Sequence, residues 1–176
     1  MNIKIKNSFL YIDEFKLKCA VGKGGITKNK VEGDKCTPKG EYKLEYIYYR
    51  KDRVKKPISK IKSKIIKKDY GWCDDSNSKF YNSLIKISKN LDFRFEKLFR
   101  KNRNYDYLIP IKYNFLKPVK NKGSAIFLHL TKNYSPTLGC ISLSKKDFII
   151  VCKLINKNSK IQIFWFFFPK IFEPIL

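Results

Sequence analysis

The chain's one histidine, His129, closes an unbroken apolar run from Ala125 to Leu128, and Cys140 follows eleven residues later behind Gly139. No other stretch of the 176 residues limits the fold as tightly. A short apolar run bounded by turn residues fits a buried strand. The segment between, Thr-Lys-Asn-Tyr-Ser-Pro-Thr-Leu-Gly, is rich in turn formers. Closing so short a loop costs little entropy, so Cys140 can return beside His129 at the strand's mouth. A thiol beside an imidazole is the minimum apparatus for covalent acyl transfer.

The chemistry explains the residue types. A thiolate is the nucleophile, yet a free thiol with pKa ~8.5 is mostly protonated at neutral pH. An adjacent histidine takes that proton, or holds the thiolate as an ion pair, and later returns the proton to the leaving amine. Gly139 lets the backbone approach a substrate, and the N–H groups of Leu138, Gly139 and Cys140 are candidates for an oxyanion hole. The plainer alternative is a core histidine above a buried thiol, since free cysteines are often buried.

The segment resembles the catalytic signature of the L,D-transpeptidase (YkuD-type) family, in which a strand-end His precedes a Ser/Thr-His-Gly-Cys sequence. His129 matches the first His, Thr137 the Ser/Thr, Gly139 the Gly and Cys140 the nucleophile. Leu138 stands where the family has its second His, and Ser142 where it commonly has Arg or Asn. The loop is also shorter than is usual. A second stretch, Thr37-Pro38-Lys39-Gly40-Glu41-Tyr42, is similar to the family's Thr-Pro-x-Gly-x-aromatic turn, so the resemblance spans roughly residues 3–164. It implies a Cys140 nucleophile and a His129 base acting on peptidoglycan stem peptides through a thioester. An amine acceptor would give a 3–3 cross-link, and water would give carboxypeptidase activity. No cofactor is implied. Two alternatives stay open: a wall-binding descendant that no longer acylates, suggested by Leu138 and Ser142, and a basic nucleic-acid-binding module.

The second alternative comes from the net charge of +24. That excess would ordinarily point to an anionic partner. Lysine far outnumbers arginine, however, and phosphate recognition favours arginine's bidentate fork. The most basic stretch, Arg50 to Lys68, lacks the interleaved aromatics of a stacking surface and reads as a solvated connector. The charge is therefore expected to spread over the surface, with no specific nucleic-acid partner. Five cysteines without a C-x-x-C pair, and a single His, argue against a structural metal. The N-terminus has no signal-peptide h-region, and nothing approaches the ~20 apolar residues of a membrane span. The resemblance implies the cell envelope or periplasm, so export would use another route or a leader outside this chain, with a cytoplasmic location left open.

One catalytic domain is expected over residues 1–168, followed by an apolar tail, 169–176, that packs on the domain or touches a membrane surface or partner. Residues 3–21 read as two strands, with Leu17 and Cys19 alternating against lysines. Residues 22–25 and 33–40 read as turns, and Tyr42–Tyr49 as one strand. Ile58, Ile61 and Ile65 fall at helical spacing. Asp74 and Asp75 read as a turn or helix cap, with Trp72, Tyr134 and Thr137 as substrate-side residues. A strand is expected at Leu84–Ile87, and a helix from Asp92 to about Asn102 burying Phe95, Leu98 and Phe99. Tyr107–Tyr113 reads as a strand that Pro110 confines to an edge or bulge. A capped helix should run from Ser144 to about Asn156, and a last strand from Ile161 to Phe168. The sum is a β-rich α+β fold: a curled or sandwiched mixed sheet with about two helices.

Overall fold

The computed structural model describes residues 2–164. Among them the strands are β1 (Asn2–Lys6), β2 (Phe9–Ile12), β3 (Phe15–Ala20), β4 (Ile26–Thr27), β5 (Thr37–Pro38), β6 (Gly40–Lys43), β7 (Ile47–Tyr49), β8 (Ser63–Ile65), β9 (Tyr70–Cys73), β10 (Leu84–Lys86), β11 (Phe95–Lys97), β12 (Tyr107–Pro110), β13 (Phe127–Leu130), β14 (Ile141–Leu143) and β15 (Lys160–Ile163). One helix, α1 (Lys145–Leu154), lies between β14 and β15.

Ten strands form one mixed sheet in the order β6-β15-β1-β2-β3-β14-β13-β12-β7-β8. Its start is a meander written in alternation: Ile3, Ile5, Leu10, Ile12, Leu17 and Cys19 are buried while the intervening lysines face water. Asn7 and Ser8, both at positive φ (48° and 61°), make the two-residue turn that matches the strands' twist. β6 and β7 are three residues apart in sequence yet lie at nearly opposite ends of the strand order. The sheet must therefore curl. A Leu44–Ile111 bridge, with Lys112 N–H donating to Lys43 O at 2.9 Å, draws its two sides together.

The largest core takes one face of these strands together with Phe148, Val151 and Cys152 of α1. Ser144 caps that helix, accepting from the Asp147 N–H at 3.1 Å, and Lys153 occupies its last turn, where the dipole favours a cation. A small sheet, β10-β9-β11, covers the other face of β7, β12 and β13 through Tyr48, Trp72, Leu98, Tyr105, Leu108 and Phe127. Every residue of β12 and β13 is buried because core packs on both sides.

Several expectations need correction. Residues 3–21 hold three strands, and Tyr42–Tyr49 is split into β6 and β7. The helix expected over 92–102 is absent: Phe95–Lys97 instead pairs antiparallel with β9. The helical spacing of Ile58, Ile61 and Ile65 leads only to β8, paired with β7. Among the described residues there is thus one helix, and none is long and apolar enough to cross a membrane. Pro110 falls at a bulge, as expected: between the Leu108–Tyr48 pair and the Leu44–Ile111 bridge two residues face three, so its missing N–H breaks no ladder bond while its carbonyl accepts from the Glu45 N–H at 2.9 Å. The extension of β15 to Phe168 and the 169–176 tail lie outside the described residues.

Candidate active site

Period-two geometry sorts the reactive residues. Ile126, Leu128, Leu130, Ile141 and Leu143 point into the main core, whereas Phe127 and Cys140 pack toward the small sheet. His129 and Ser142 share that second face. β13 and β14 run parallel, with His129 opposite Ser142, and β12 fixes the other side through Leu108. Cys140 stands immediately before β14. Its thiol and the His129 ring line one cleft of about 840 Å³.

His129 is 7% exposed, and its ring meets Tyr105 edge-on at 5.3 Å. Nδ1 lies 2.9 Å from the Leu130 carbonyl. A carbonyl can only accept, so this contact requires the proton on Nδ1 and leaves the lone pair on Nε2. Burial drops the imidazole pKa to about 4; the Leu130 carbonyl opposes this and the Arg100 charge reinforces it. Cys140 donates to Ala125 O at 3.2 Å and accepts from the Phe127 N–H at 3.3 Å. Burial pushes its thiol up to about 12, Glu96 adds to the rise, and the Phe127 N–H, Arg100 and Lys30 oppose it. The pair therefore rests neutral at pH 7.

The turn carrying Cys140 is clamped from two directions. Thr37, fully buried, accepts from the Gly22 N–H at 2.8 Å and donates to Gly139 O at 2.9 Å. Thr137 pairs in register with Gly22, accepts from the Gly139 N–H at 3.1 Å and donates to Cys140 O at 2.5 Å. Gly139 has φ +134°, and a Cβ there would meet Cys36 O at 2.9 Å, so no other residue fits without strain. This narrows the oxyanion candidates. The Gly139 N–H is taken, while those of Leu138 and Cys140 have no acceptor among the described residues.

Two substrate-side assignments change, those of Trp72 and Tyr134. Trp72 is 2% exposed, donates to Asn82 Oδ1 at 2.9 Å and packs edge-on against Phe127 at 5.1 Å, which puts it beneath the site. Tyr134, at φ +57°, turns its ring toward Lys18 and Asp147 and is not part of the cleft wall. Thr137 lines the cleft, but its hydroxyl proton is committed to the turn. Ser142, beside His129, carries a buried Oγ with no hydrogen-bond partner among the described residues. The opposite wall holds residues that sequence reasoning missed. Glu96 accepts from both the Tyr105 hydroxyl and Arg100, whose guanidinium lies 4.2 Å over the Tyr105 ring. Burial raises the Glu96 pKa against the pull of Arg100 and Tyr105. The alternation Phe93-Arg94-Phe95-Glu96 was the available signal for a strand there. Cleft charge is mixed, with Lys30, Lys35, Arg94, Arg100 and Lys132 against Glu32, Asp74 and Glu96, and among the lining residues no exposed stacking aromatics appear. Among the described residues no group of three or more His, Cys, Asp or Glu could hold a metal ion.

Comparison with known proteins agrees with this architecture. The profile of the YkuD family, L,D-transpeptidase catalytic domain, matches residues 5–163, most of the chain. The chain belongs to that family. Its structure is similar to the crystal structure of the helical cell shape determining protein Pgp2 from Campylobacter jejuni, with 16% sequence identity and a TM-score of 0.48. That likeness covers 92% of this chain and 46% of the other, so the chain spans less than half of the Pgp2 structure's length. No curated protein sequence matches.

Proposed function

We propose that this chain is a cysteine acyltransferase acting on peptidoglycan stem peptides, with Cys140 as nucleophile and His129 as base. The observation that carries the reading is the placement of the only imidazole and the thiol that follows Gly139 in one cleft, the first on β13 and the second immediately before its register-locked neighbour β14. The thiol exchanges its bond to Ala125 O for His129 Nε2 when a donor enters. His129 removes the proton as sulfur attacks the carbonyl carbon of the diaminopimelate residue. The Leu138 and Cys140 N–H groups receive the oxyanion. Collapse breaks the C–N bond, the imidazolium protonates the departing D-alanine amine, and a thioester remains. An amine of a second stem, or water, then loses a proton to His129 and attacks the thioester, and Cys140 leaves with that proton. Family membership supports placing this chemistry at the cell envelope.

Incubation with disaccharide tetrapeptides, followed by intact-mass analysis, tests the reading. The expected result is a thioester adduct on Cys140 with release of D-alanine. Binding without any adduct would favour the wall-binding alternative, and affinity only for oligonucleotides, falling steeply with salt, would favour the nucleic-acid one.

A further inference from the structure

We infer that Arg100 is the carboxylate-binding residue of the acyl-donor site, an inference that rests on the proposed acyl transfer and names what the cleft recognises. Its guanidinium is held on three sides: the Tyr105 ring beneath it at 4.2 Å, the Glu96 carboxylate at Nη2, and the Lys97 carbonyl at 3.0 Å from Nε. Tyr105 in turn meets the His129 ring, so the plane of the guanidinium is set from the reacting pair outward. Nη1 has no protein acceptor among the described residues, and the side chain, 33% exposed, lines the cleft with Cys140 and His129.

An arginine paired to one buried carboxylate is often a closed structural unit. Here it is not closed, because the fork has five donors and Glu96 with Lys97 uses only part of them. A planar, preoriented fork with free N–H groups matches a carboxylate in two-point geometry. Two of the other cleft cations are already engaged elsewhere. Lys30 spends its ammonium on Val31 O and Asp34, and Arg94 is 71% exposed and engaged with Asp74. Arg100 is also the cation whose charge reaches both Cys140 and His129. A stem-peptide donor brings two free carboxylates near the scissile bond: that of the departing D-alanine and the side-chain carboxylate of diaminopimelate. Both present the same chemistry to Arg100.

Binding to the Cys140→Ala protein separates recognition from turnover. Three ligands are titrated by calorimetry: the tetrapeptide, its C-terminal carboxamide, and its diaminopimelate side-chain carboxamide. One carboxamide should bind roughly 10- to 100-fold more weakly than the free acid, as expected for a lost charged hydrogen-bond pair, and which one identifies the carboxylate. Adding Arg100→Gln should erase that ratio, and Arg100→Lys, which keeps charge without the fork, should restore part of it. Equal binding of all three ligands with Arg100 in place, or a ratio unchanged by Arg100→Gln, would overturn the inference. The first comparison needs no substitution at position 100, so it decides even if Arg100→Gln folds poorly. Failure of the thiol in unsubstituted protein to acquire an acyl mass would defeat the acyl-transfer reading while leaving these ratios readable.

Discussion

The two walls of the cleft are built by different forces. On one, His129 and Cys140 are fixed by main-chain pairing of β13 with β12 and β14 and by the threonine-clamped turn. On the other, Glu96 comes from a strand paired with β9, but the groups that face the cleft are held to one another mainly by side chains: an ion pair, a ring stack and a hydroxyl–carboxylate bond, with the Lys97 carbonyl as the one main-chain partner of the guanidinium among the described residues. Backbone ladders hold position whatever the protonation state of nearby groups. A side-chain network depends on Glu96 remaining charged, and burial already works against that. The reacting pair is therefore the rigid wall and the recognition surface the adjustable one.

The largest expected contrast comes from the pair itself. His129→Ala should slow acylation of Cys140 by about 10² to 10⁴, the usual loss for a general base, with circular dichroism unchanged. Glu96→Gln should change the same rate by less than about tenfold, because it loosens only the side-chain wall. Equal losses from the two substitutions, read by intact-mass kinetics with a tetrapeptide or a carbapenem-type β-lactam, would erase the distinction between the walls.

Acid should act next, and through the rigid wall. The imidazole pKa is lowered from 6.5 to about 4 on folding, so the unfolded chain takes the proton first. Stability should be unaffected at neutral pH and be lost as pH falls from about 6.5 to about 4, by up to about 3 kcal/mol. Urea melts of the natural chain minus those of His129→Gln isolate this slope from the carboxylates that titrate over the same range. The acid limb of acylation should likewise fall near pH 4, and a limb near 6.5 would mean that the imidazole is solvated.

The smallest effect sharpens the comparison at one hydroxyl. Thr37→Val keeps the shape but leaves the Gly22 N–H and Gly139 O without their shared partner. The expected cost is about 1–3 kcal/mol in a denaturant melt, with slower acylation as the turn loosens. Unchanged stability would show that the turn is held by its backbone bonds alone.

The rigid wall was largely legible in the sequence, and the adjustable one was not. The apolar run into His129, the turn-rich loop, Gly139 and the Ser144 cap are all local signals, and each specifies its own conformation. The 92–102 segment is different. Phe95, Leu98 and Phe99 fit a helical stripe as well as Phe93 and Phe95 fit a strand, and pairing of Glu96 with Trp72 across β11 and β9 settles the matter by tertiary contact. Trp72 stands in an acidic, aromatic island, but only Asn82 and Phe127 determine that its ring lies beneath the site. The sequence also names the neighbours of Cys140 without revealing its burial, and burial is what raises its pKa.

β15 lies between β1 and β6, parallel to the first and antiparallel to the second, with Lys160 opposite both Asn2 and Lys43. Translation delivers these partners in the wrong order for easy assembly. β1 and β6 leave the ribosome long before the strand that must slot between them, and pairings so distant in sequence form slowly. Until residues 160–163 emerge, both strands present open edges on which another nascent copy could pair. Production of this protein should therefore depend on how quickly synthesis passes the helix and delivers β15, and a chain stalled before Lys160 would be the aggregation-prone species.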